Sequence, residues 1–166
     1  MDVVLRADRP LTEAELVEVA RHRAPVEISA DSLDRLRTAR ESVDVLAASD
    51  TPVYGVSTGF GALATRHIPP ELRTQLQRSL VRSHAASSGT AVETEVVRGL
   101  MLLRLQTMTT GRTGVRPETA QTYAALLNAG ITPVVREFGS LGCSGDLAPL
   151  AHAALAAMGE GDVEVD

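Results

Sequence analysis

Residues 139–152 read Gly-Ser-Leu-Gly-Cys-Ser-Gly-Asp-Leu-Ala-Pro-Leu-Ala-His, and this stretch decides the fold that we expect. Its glycine-rich first half predicts a turn before a helix. Asp146 or Ser144 is a suitable N-cap for that helix, which we expect to continue through Met158 and to end at Gly159-Glu160-Gly161. The helix is so rich in alanine and so poor in polar residues that it predicts a position inside a larger helical bundle.

Outward from this stretch, the chain is predicted to form helices joined by loops that glycine and proline mark. Apolar residues recur at three- and four-residue spacing behind capping residues, which is typical of helices packed on one face. The other helices are expected from Thr12 to about Arg21, from Ser29-Ala30-Asp31 to Ser49, from Pro69-Pro70 to Ser87, over Thr90–Thr109, and from Pro117 to Gly130. No βαβ alternation is visible, and neither Val134-Val135 nor the acidic tail after Gly161 predicts a strand.

The predicted fold class is therefore all-α. We expect an N-terminal helical region over residues 1–110 and, over residues 111–166, the start of a central helical bundle that this chain leaves incomplete. Residues 53–66 carry three glycines and fit neither a helical nor a strand period, so they predict a structured loop. Two of the four aromatic residues, Tyr54 and Phe60, lie in this loop, which is an unusual place for them if they only fill the core.

Composition and charge exclude several classes of protein. The chain has 166 residues, of which 44% are hydrophobic and 22% charged, as expected for one globular domain. Its formal net charge of −5 argues against a nucleic-acid partner, because binding phosphates requires clustered lysine and arginine. No charge-free apolar run reaches the roughly 18 residues of a membrane span, and the first residues lack the order of a signal peptide. The single cysteine permits no internal disulfide, so we expect a reducing, cytoplasmic location.

The glycine-rich turn before the last helix fits few kinds of catalytic site. A nucleophile elbow requires Gly-x-Ser-x-Gly, but Asp146 stands where the second glycine belongs. A catalytic Cys143 needs a histidine partner; His152 lies beyond a proline on the following helix, and the sequence neither supports nor excludes that pair. The four histidines show no i,i+4 pair, which argues against a metal site. Residues 59–64 satisfy a dinucleotide-binding pattern, but no βαβ unit surrounds them.

The remaining interpretation uses the backbone of Cys143, Ser144 and Gly145. Attack of the Gly145 nitrogen on the carbonyl carbon of Cys143 closes a five-membered ring, and glycine suits the attacking position because it lacks Cβ. Loss of one water from the ring and one from the Ser144 hydroxymethyl group leaves an exocyclic methylene, which is a strong electrophile. A helix that starts near Asp146 presents the positive end of its dipole to this electrophile. In an arbitrary protein, Ser144 would simply be a turn residue.

Residues 139–152 resemble the signature of the aromatic amino acid ammonia-lyases and their aminomutase relatives. In that family the cofactor 4-methylidene-imidazol-5-one (MIO) forms from an Ala-Ser-Gly triplet. The resemblance therefore implies an MIO group formed from Cys143-Ser144-Gly145, with no external cofactor. Cysteine replaces the usual alanine here, as in histidine ammonia-lyases of actinobacterial type. The first triplet residue contributes its backbone to the ring, so its side chain need not take part, although a thiol is open to oxidation.

Two more segments match the family in order and spacing. Tyr54-Gly-Val-Ser-Thr-Gly-Phe-Gly61 resembles the loop whose tyrosine is the catalytic base, with Ser57 at its variable position and Gly61 as structural support. Leu80-Val81-Arg82-Ser83-His84-Ala85-Ala86 resembles the helix that selects the substrate. Ser83-His84 is the pair typical of histidine lyases, whereas tyrosine lyases of bacterial type carry His-Leu there. Some aminomutases also carry Ser-His.

The resemblance covers the chain from about residue 28 and implies a histidine ammonia-lyase, which eliminates ammonia from L-histidine to give trans-urocanate. It implies that Tyr54 removes a β-proton, that Ser83 and His84 bind this small amino-acid substrate, and that Asp146 helps to hold the triplet compressed. Family members are longer homotetramers whose active sites draw on more than one subunit. The chain is therefore expected to be an N-terminal part that requires a missing C-terminal part and is inactive alone.

Alternatives stay open at this point. Tyr54 alone could be a loop residue that fills a gap, and His84 continues the apolar stripe of its helix, which is typical of a core histidine. Arg82, Arg98 and Arg104 are interpreted as solvated or paired. An aminomutase would share the fold, the cofactor and the tyrosine base, and would release a β-amino acid instead of urocanate. A non-catalytic helical module descended from a lyase would carry an unmodified triplet.

Overall fold

The computed structural model describes residues 2–142 and 145–165. Helices dominate it, which confirms the predicted helical class. Within the described residues the helices are α1 Glu13–Ala20, α2 Ala30–Ala48, α3 Pro70–His84, α4 Thr94–Thr109, α5 Pro117–Asn128 and α6 Leu147–Ala157, and a 3-10 turn covers Gly61–Leu63. The strands are β1 Val3–Leu5, β2 Val26–Ile28, β3 Ser88–Ala91, β4 Ile131–Pro133, β5 Arg136–Phe138 and β6 Val163–Val165.

The first two helices start where their capping residues predict. Before α1, the Thr12 hydroxyl accepts the Glu15 amide at 3.2 Å and the Glu15 carboxylate accepts the Thr12 amide at 2.9 Å, which completes a capping box. A hydrogen-bonded ion pair with Arg9, together with the Thr12 amide, lowers the pKa of Glu15 to about 2. Before α2, the Ser29 hydroxyl accepts the Ser32 amide at 3.2 Å. These bonds satisfy amides that the first helical turn leaves without a backbone partner.

The structure contains short strands, whereas the sequence pattern predicts only helices and loops. β1 and β2 pair in parallel on either side of α1 in the chain, so a small βαβ unit is present although the sequence pattern shows none. In the acidic tail, β6 pairs antiparallel with β4, and β3 pairs antiparallel with β5. Because residues 88–91 join this last pair, α4 begins at Thr94 rather than at Thr90. Strands of three or four residues are too short to show a period-two pattern, so only long-range pairing defines them.

Helix α4 forms the centre of the hydrophobic core. Met101, Leu102 and Leu105 are fully buried on it, and the core residues around them come from β1, β2, α1, α2, α5 and α6. This one hydrophobic core contains residues from both predicted regions, 1–110 and 111–166. The boundary between the two regions stays a prediction. Within the described ranges, none of the helices combines the length and the apolar character that crossing a bilayer requires.

Arg98 on α4 is buried rather than solvated, with 1% of its surface exposed. Its guanidinium donates to the Val19 carbonyl at 3.0 Å and to the Leu127 carbonyl at 3.2 Å. Those carbonyls lie in the last turns of α1 and α5, where the helix dipoles favour a positive charge. Arg98 therefore joins three helices at one point. Arg82, by contrast, lies on the surface and pairs with Glu160 at 2.7 Å.

Candidate active site

Residues 139–146, which we call the triplet loop, are closed by the side chain of Asp146. Its carboxylate accepts hydrogen bonds from the Leu141 amide, at 3.0 Å, and from the Ser140 hydroxyl. The Ser140 oxygen in turn accepts the Gly142 amide at 3.2 Å. Asp146 takes the N-cap position of α6, but its side chain makes no capping bond because it turns back onto the loop. Asp146, one of the two predicted N-cap residues, is therefore confirmed at that position, but its carboxylate holds the start of the loop against its end instead of binding an amide of α6.

Two residues of the triplet, Cys143 and Ser144, lie outside the described residues, so the predictions made for them stay predictions. Gly145, the third, has a φ of +74°, a left-handed backbone that side chains disfavour. A Cβ built on Gly145 or on Gly142 would meet no atom within 4 Å. Gly145 therefore holds a left-handed backbone conformation two residues before α6 begins at Leu147.

His84 is the last residue of α3, and its hydrogen bonds define which ring nitrogen carries the proton. Its Nδ1 lies 2.8 Å from the Leu80 carbonyl oxygen, which can only accept a hydrogen bond, so Nδ1 carries the proton. In the neutral imidazole the lone pair is then on Nε2. The Ser83 hydroxyl lies 2.9 Å from the same carbonyl and 3.0 Å from Nδ1, which ties the pair to the last turn of the helix. Since no residue of α3 is fully buried, its apolar stripe is not part of the described core.

The triplet loop packs against the segment that follows His84. A Cβ on Gly139 would lie 2.9 Å from Ser87 Cβ and 3.2 Å from Ala148 Cβ, so this approach requires glycine. The Ser87 hydroxyl also contacts Nε2 of His152 at 2.8 Å. The structure thereby brings the end of α3 next to the triplet loop. No sequence signal points to Ser87, because its partner lies 65 residues further along the chain.

Tyr54 lies in residues 53–66, which we call the tyrosine loop. The residue is 62% exposed, and its ring packs edge-on against Phe60 with 5.7 Å between the centroids. The phenolic oxygen accepts the Gly61 amide at 3.4 Å, a long hydrogen bond. Gly61 has a φ of +53°, which favours glycine at this position. The hydrogen bond with Gly61 and the ring contact with Phe60 both lie within the tyrosine loop.

Buried polar groups define the shape of the tyrosine loop. The Val53 carbonyl accepts the amides of Ser57 at 3.0 Å and Thr58 at 3.2 Å. The hydroxyl of Ser57, which is fully buried, accepts the Val53 amide at 2.9 Å. Further along, the Gly59 amide donates to the Arg66 carbonyl at 3.1 Å. The predicted structured loop is confirmed, and Ser57 at the variable position of the motif is one of the residues that organise it.

Gly59→Ala is expected to open the tyrosine loop. A Cβ on Gly59 would lie 2.5 Å from Leu63 Cβ and 3.1 Å from the Leu63 carbonyl oxygen, closer than packed atoms approach. Overpacking of this kind costs roughly 1–3 kcal/mol, so we expect the opened loop to be about tenfold more populated. Trypsin cleavage after the exposed Arg66, followed by mass spectrometry, measures that population. Ala62→Ser, an exposed change in the same loop, is the control. Equal cleavage of Gly59→Ala and the wild type would contradict the prediction.

Two other predictions concern metals and nucleotides. Within residues 2–142 and 145–165, no three side chains of His, Cys, Asp or Glu cluster as metal ligands would. Residues 59–64, which match the dinucleotide pattern, form part of the tyrosine loop and contain its 3-10 turn. They therefore do not open a helix of the kind that binds a pyrophosphate group.

The chain is similar to known proteins over nearly its whole length. Residues 11–166 match the sequence model of the aromatic amino acid lyase family. The histidine ammonia-lyase of Streptomyces coelicolor is 63% identical over 164 residues, which are 99% of this chain and 32% of that protein. The chain therefore spans about a third of the length of the curated relatives it matches.

Solved structures of related proteins share the fold of this chain. The tyrosine aminomutase of Streptomyces globisporus superposes with a TM-score of 0.92 at 37% identity, over 100% of this chain and 31% of that one. The histidine ammonia-lyase of Trypanosoma cruzi superposes with a TM-score of 0.88 at 36% identity, over 99% and 31%. Together with the family match over residues 11–166, these likenesses show that the chain belongs to the aromatic amino acid lyase family.

Proposed function

We propose that this chain supplies the triplet, the tyrosine base and the substrate-selecting helix of a histidine ammonia-lyase. The reaction is the elimination of ammonia from L-histidine to give trans-urocanate. The observation that carries the proposal is the triplet loop, closed by Asp146, with Gly145 in a left-handed turn and the end of α3 beside the loop. The 63% identity with the Streptomyces coelicolor histidine ammonia-lyase supports histidine as the substrate.

The proposed cofactor is an MIO group formed from Cys143-Ser144-Gly145, without any external molecule. Once formed, this group supplies the electrophile that converts the substrate amine into a leaving group. Gly145 provides the backbone nitrogen from a left-handed conformation, and Asp146 holds the two ends of the loop together. Because α6 begins at Leu147, the positive end of its dipole lies directly after the triplet and favours negative charge that develops there.

Tyr54 is the proposed base that removes a proton from Cβ of the substrate. That proton is weakly acidic, so the placement of the base matters as much as its strength. The Gly61 amide donates to the phenolic oxygen and orients it, and Phe60 packs against the ring. The exposed position of Tyr54 on a separate loop supports a homotetramer in which more than one subunit completes each active site, which we propose from the family resemblance.

His84 is the proposed substrate-binding residue, with Ser83 steadying its ring. Nδ1 of His84 donates its proton to the Leu80 carbonyl, so Nε2 is the ring nitrogen that accepts a hydrogen bond from the substrate. An acceptor at this position favours a substrate ring that bears an N–H group over a phenyl ring, which would leave the acceptor unpaired. The pair therefore supports a small amino-acid substrate of the histidine type. The cytoplasmic location that we propose rests instead on the single cysteine, which permits no internal disulfide.

An aminomutase is the second candidate, because the Streptomyces globisporus tyrosine aminomutase shares the fold at 37% identity. It would use the same triplet and base but return the ammonia to the β-carbon. Product analysis distinguishes the two, since a lyase releases urocanate and an aminomutase releases a β-amino acid.

Peptide mass spectrometry across residues 137–152 of the purified chain tests the proposal. We expect a peptide that has lost two waters, with the loss mapped to Cys143-Ser144-Gly145. Ser144→Ala should abolish that loss, because alanine has no hydroxyl group to eliminate, and Ser42→Ala on α2 should not affect it. An unmodified triplet in the wild-type chain would overturn the proposed cofactor and favour a non-catalytic helical module.

A further inference from the structure

The contact between Ser87 and His152 joins three segments around the triplet loop. Nε2 of His152 lies 2.8 Å from Oγ of Ser87, and the same oxygen accepts the Arg136 amide at 3.2 Å. Ser87 follows α3, Arg136 begins β5 and His152 lies in α6. A single hydroxyl group therefore links the end of α3 to the strand before the triplet loop and to the helix after it.

We propose that His152 is a positioning residue for the triplet and acts through Ser87. This inference rests on the proposed function, in which the Gly145 nitrogen closes a ring onto the Cys143 carbonyl carbon. Closure requires the two ends of the triplet loop to be held at a fixed separation, since the reacting atoms belong to residues only two positions apart. Asp146 fixes that separation from within the loop, and Ser87 with His152 fixes it from outside.

Close packing makes the position of Ser87 restrictive. A Cβ on Gly139 would lie 2.9 Å from Ser87 Cβ and 3.2 Å from Ala148 Cβ. Ser87 and Ala148, which lies in the first turn of α6, therefore both pack closely against Gly139, the first residue of the triplet loop. A shift of Ser87 would break its hydrogen bonds with the Arg136 amide at the start of β5 and with His152. The two flanks of the loop are therefore coupled through this one side chain.

The charge of His152 suits this role. Burial lowers the pKa of His152, the neighbouring Arg136 lowers it further, and Asp162 acts in the opposite direction. The imidazole is therefore neutral at pH 7. In the neutral ring Nε2 accepts the Ser87 hydroxyl proton, while the Ser87 oxygen accepts the Arg136 amide, so each polar atom has a defined partner.

The test compares the rate of ring formation in the wild-type chain and in His152→Leu, His152→Gln, Ser87→Ala and the double variant Ser87→Ala/His152→Leu. Mass spectrometry of the peptide that carries residues 137–152 measures the loss of two waters with time. We expect ring formation to be about tenfold slower in His152→Leu, which removes one hydrogen bond, and at least as slow in Ser87→Ala, which also removes the acceptor of the Arg136 amide. The double variant should be no slower than Ser87→Ala, because the bond between Ser87 and His152 is already lost in that variant. Glutamine places an amide near the position of Nε2 and should keep the rate within about threefold of the wild type. His22→Leu makes the same change at an exposed histidine and is the control.

Amide exchange of Leu141 and Gly142, measured by NMR, is a second readout that does not need the ring. We expect exchange about tenfold faster in His152→Leu and Ser87→Ala, with recovery in His152→Gln. If the wild-type chain forms no ring, the proposed function is overturned, and exchange alone still decides this inference. If the variants lower only the melting temperature and leave both ring formation and amide exchange unchanged, His152 is merely structural and the inference is overturned.

Discussion

Asp146→Ala is expected to leave the Cys143-Ser144-Gly145 triplet unmodified. The Asp146 carboxylate accepts hydrogen bonds from the Leu141 amide and the Ser140 hydroxyl, and alanine removes both acceptors. A hydrogen bond to a charged group contributes about 1.5–3 kcal/mol, so loss of two should slow ring closure about a hundredfold or more. Peptide mass spectrometry over residues 137–152 measures the fraction of chain that has lost two waters.

Two further variants test whether the slower ring closure is due to the Asp146 carboxylate. Asp146→Asn keeps one acceptor oxygen and should form the ring at an intermediate rate. Asp50→Ala removes an exposed carboxylate outside the triplet loop and should match the wild type. Normal ring formation in Asp146→Ala would show that the carboxylate does not hold the loop for closure. Melting temperatures recorded for all three variants separate a local effect on the loop from general unfolding.

Arg98→Met is expected to lower the free energy of unfolding by about 3 kcal/mol. Methionine fills much of the same volume but cannot donate, so the Val19 and Leu127 carbonyls lose the guanidinium that now binds them. These carbonyls end two helices whose dipoles favour a cation there, and the site is buried, so water cannot fully replace the lost donors. Urea denaturation followed by circular dichroism measures the change.

The matched control is Arg104→Met, because Arg104 lies on the same helix and is only half-buried. We expect this control to change the free energy of unfolding by less than about 1 kcal/mol. An unchanged or raised stability in Arg98→Met would mean that the cost of burying the guanidinium cancels what its hydrogen bonds contribute, as happens in some proteins with buried charges.

The helices could be predicted because their signals are local. Thr12 and Glu15 are three residues apart and form the capping box that their spacing predicts. Pro70 and Pro117 begin helices, as expected from a residue that lacks an amide proton. The strands could not be predicted, since the pairing of β1 with β2 depends on residues on either side of α1 rather than on any pattern within three residues.

The sequence proposes the residues of the candidate site but does not predict how they are arranged. The sequence pattern identifies Tyr54, His84 and Gly145, and the structure places the end of α3, which carries His84, beside the triplet loop, while Tyr54 contacts its own loop. The pattern also predicts Asp146 or Ser144 as the N-cap of α6, and Asp146 takes that position, yet its side chain turns back to the Leu141 amide. A capping bond and a bond to the preceding loop use the same carboxylate, and the backbone path of the loop decides between them.

The amino-acid sequence by itself determined the helical class, the caps of the first helices, the two glycine-rich loops and the triplet that is proposed to form the cofactor. Each of these depends on residues a few positions apart, whose conformational preferences act locally. Only the tertiary structure decided the burial of Arg98 between two helix ends, 79 and 29 residues away in the chain, and the pairing of Ser87 with His152 across 65 residues. Such contacts arise where packing of the core brings distant side chains together, and no local pattern encodes which of them will meet.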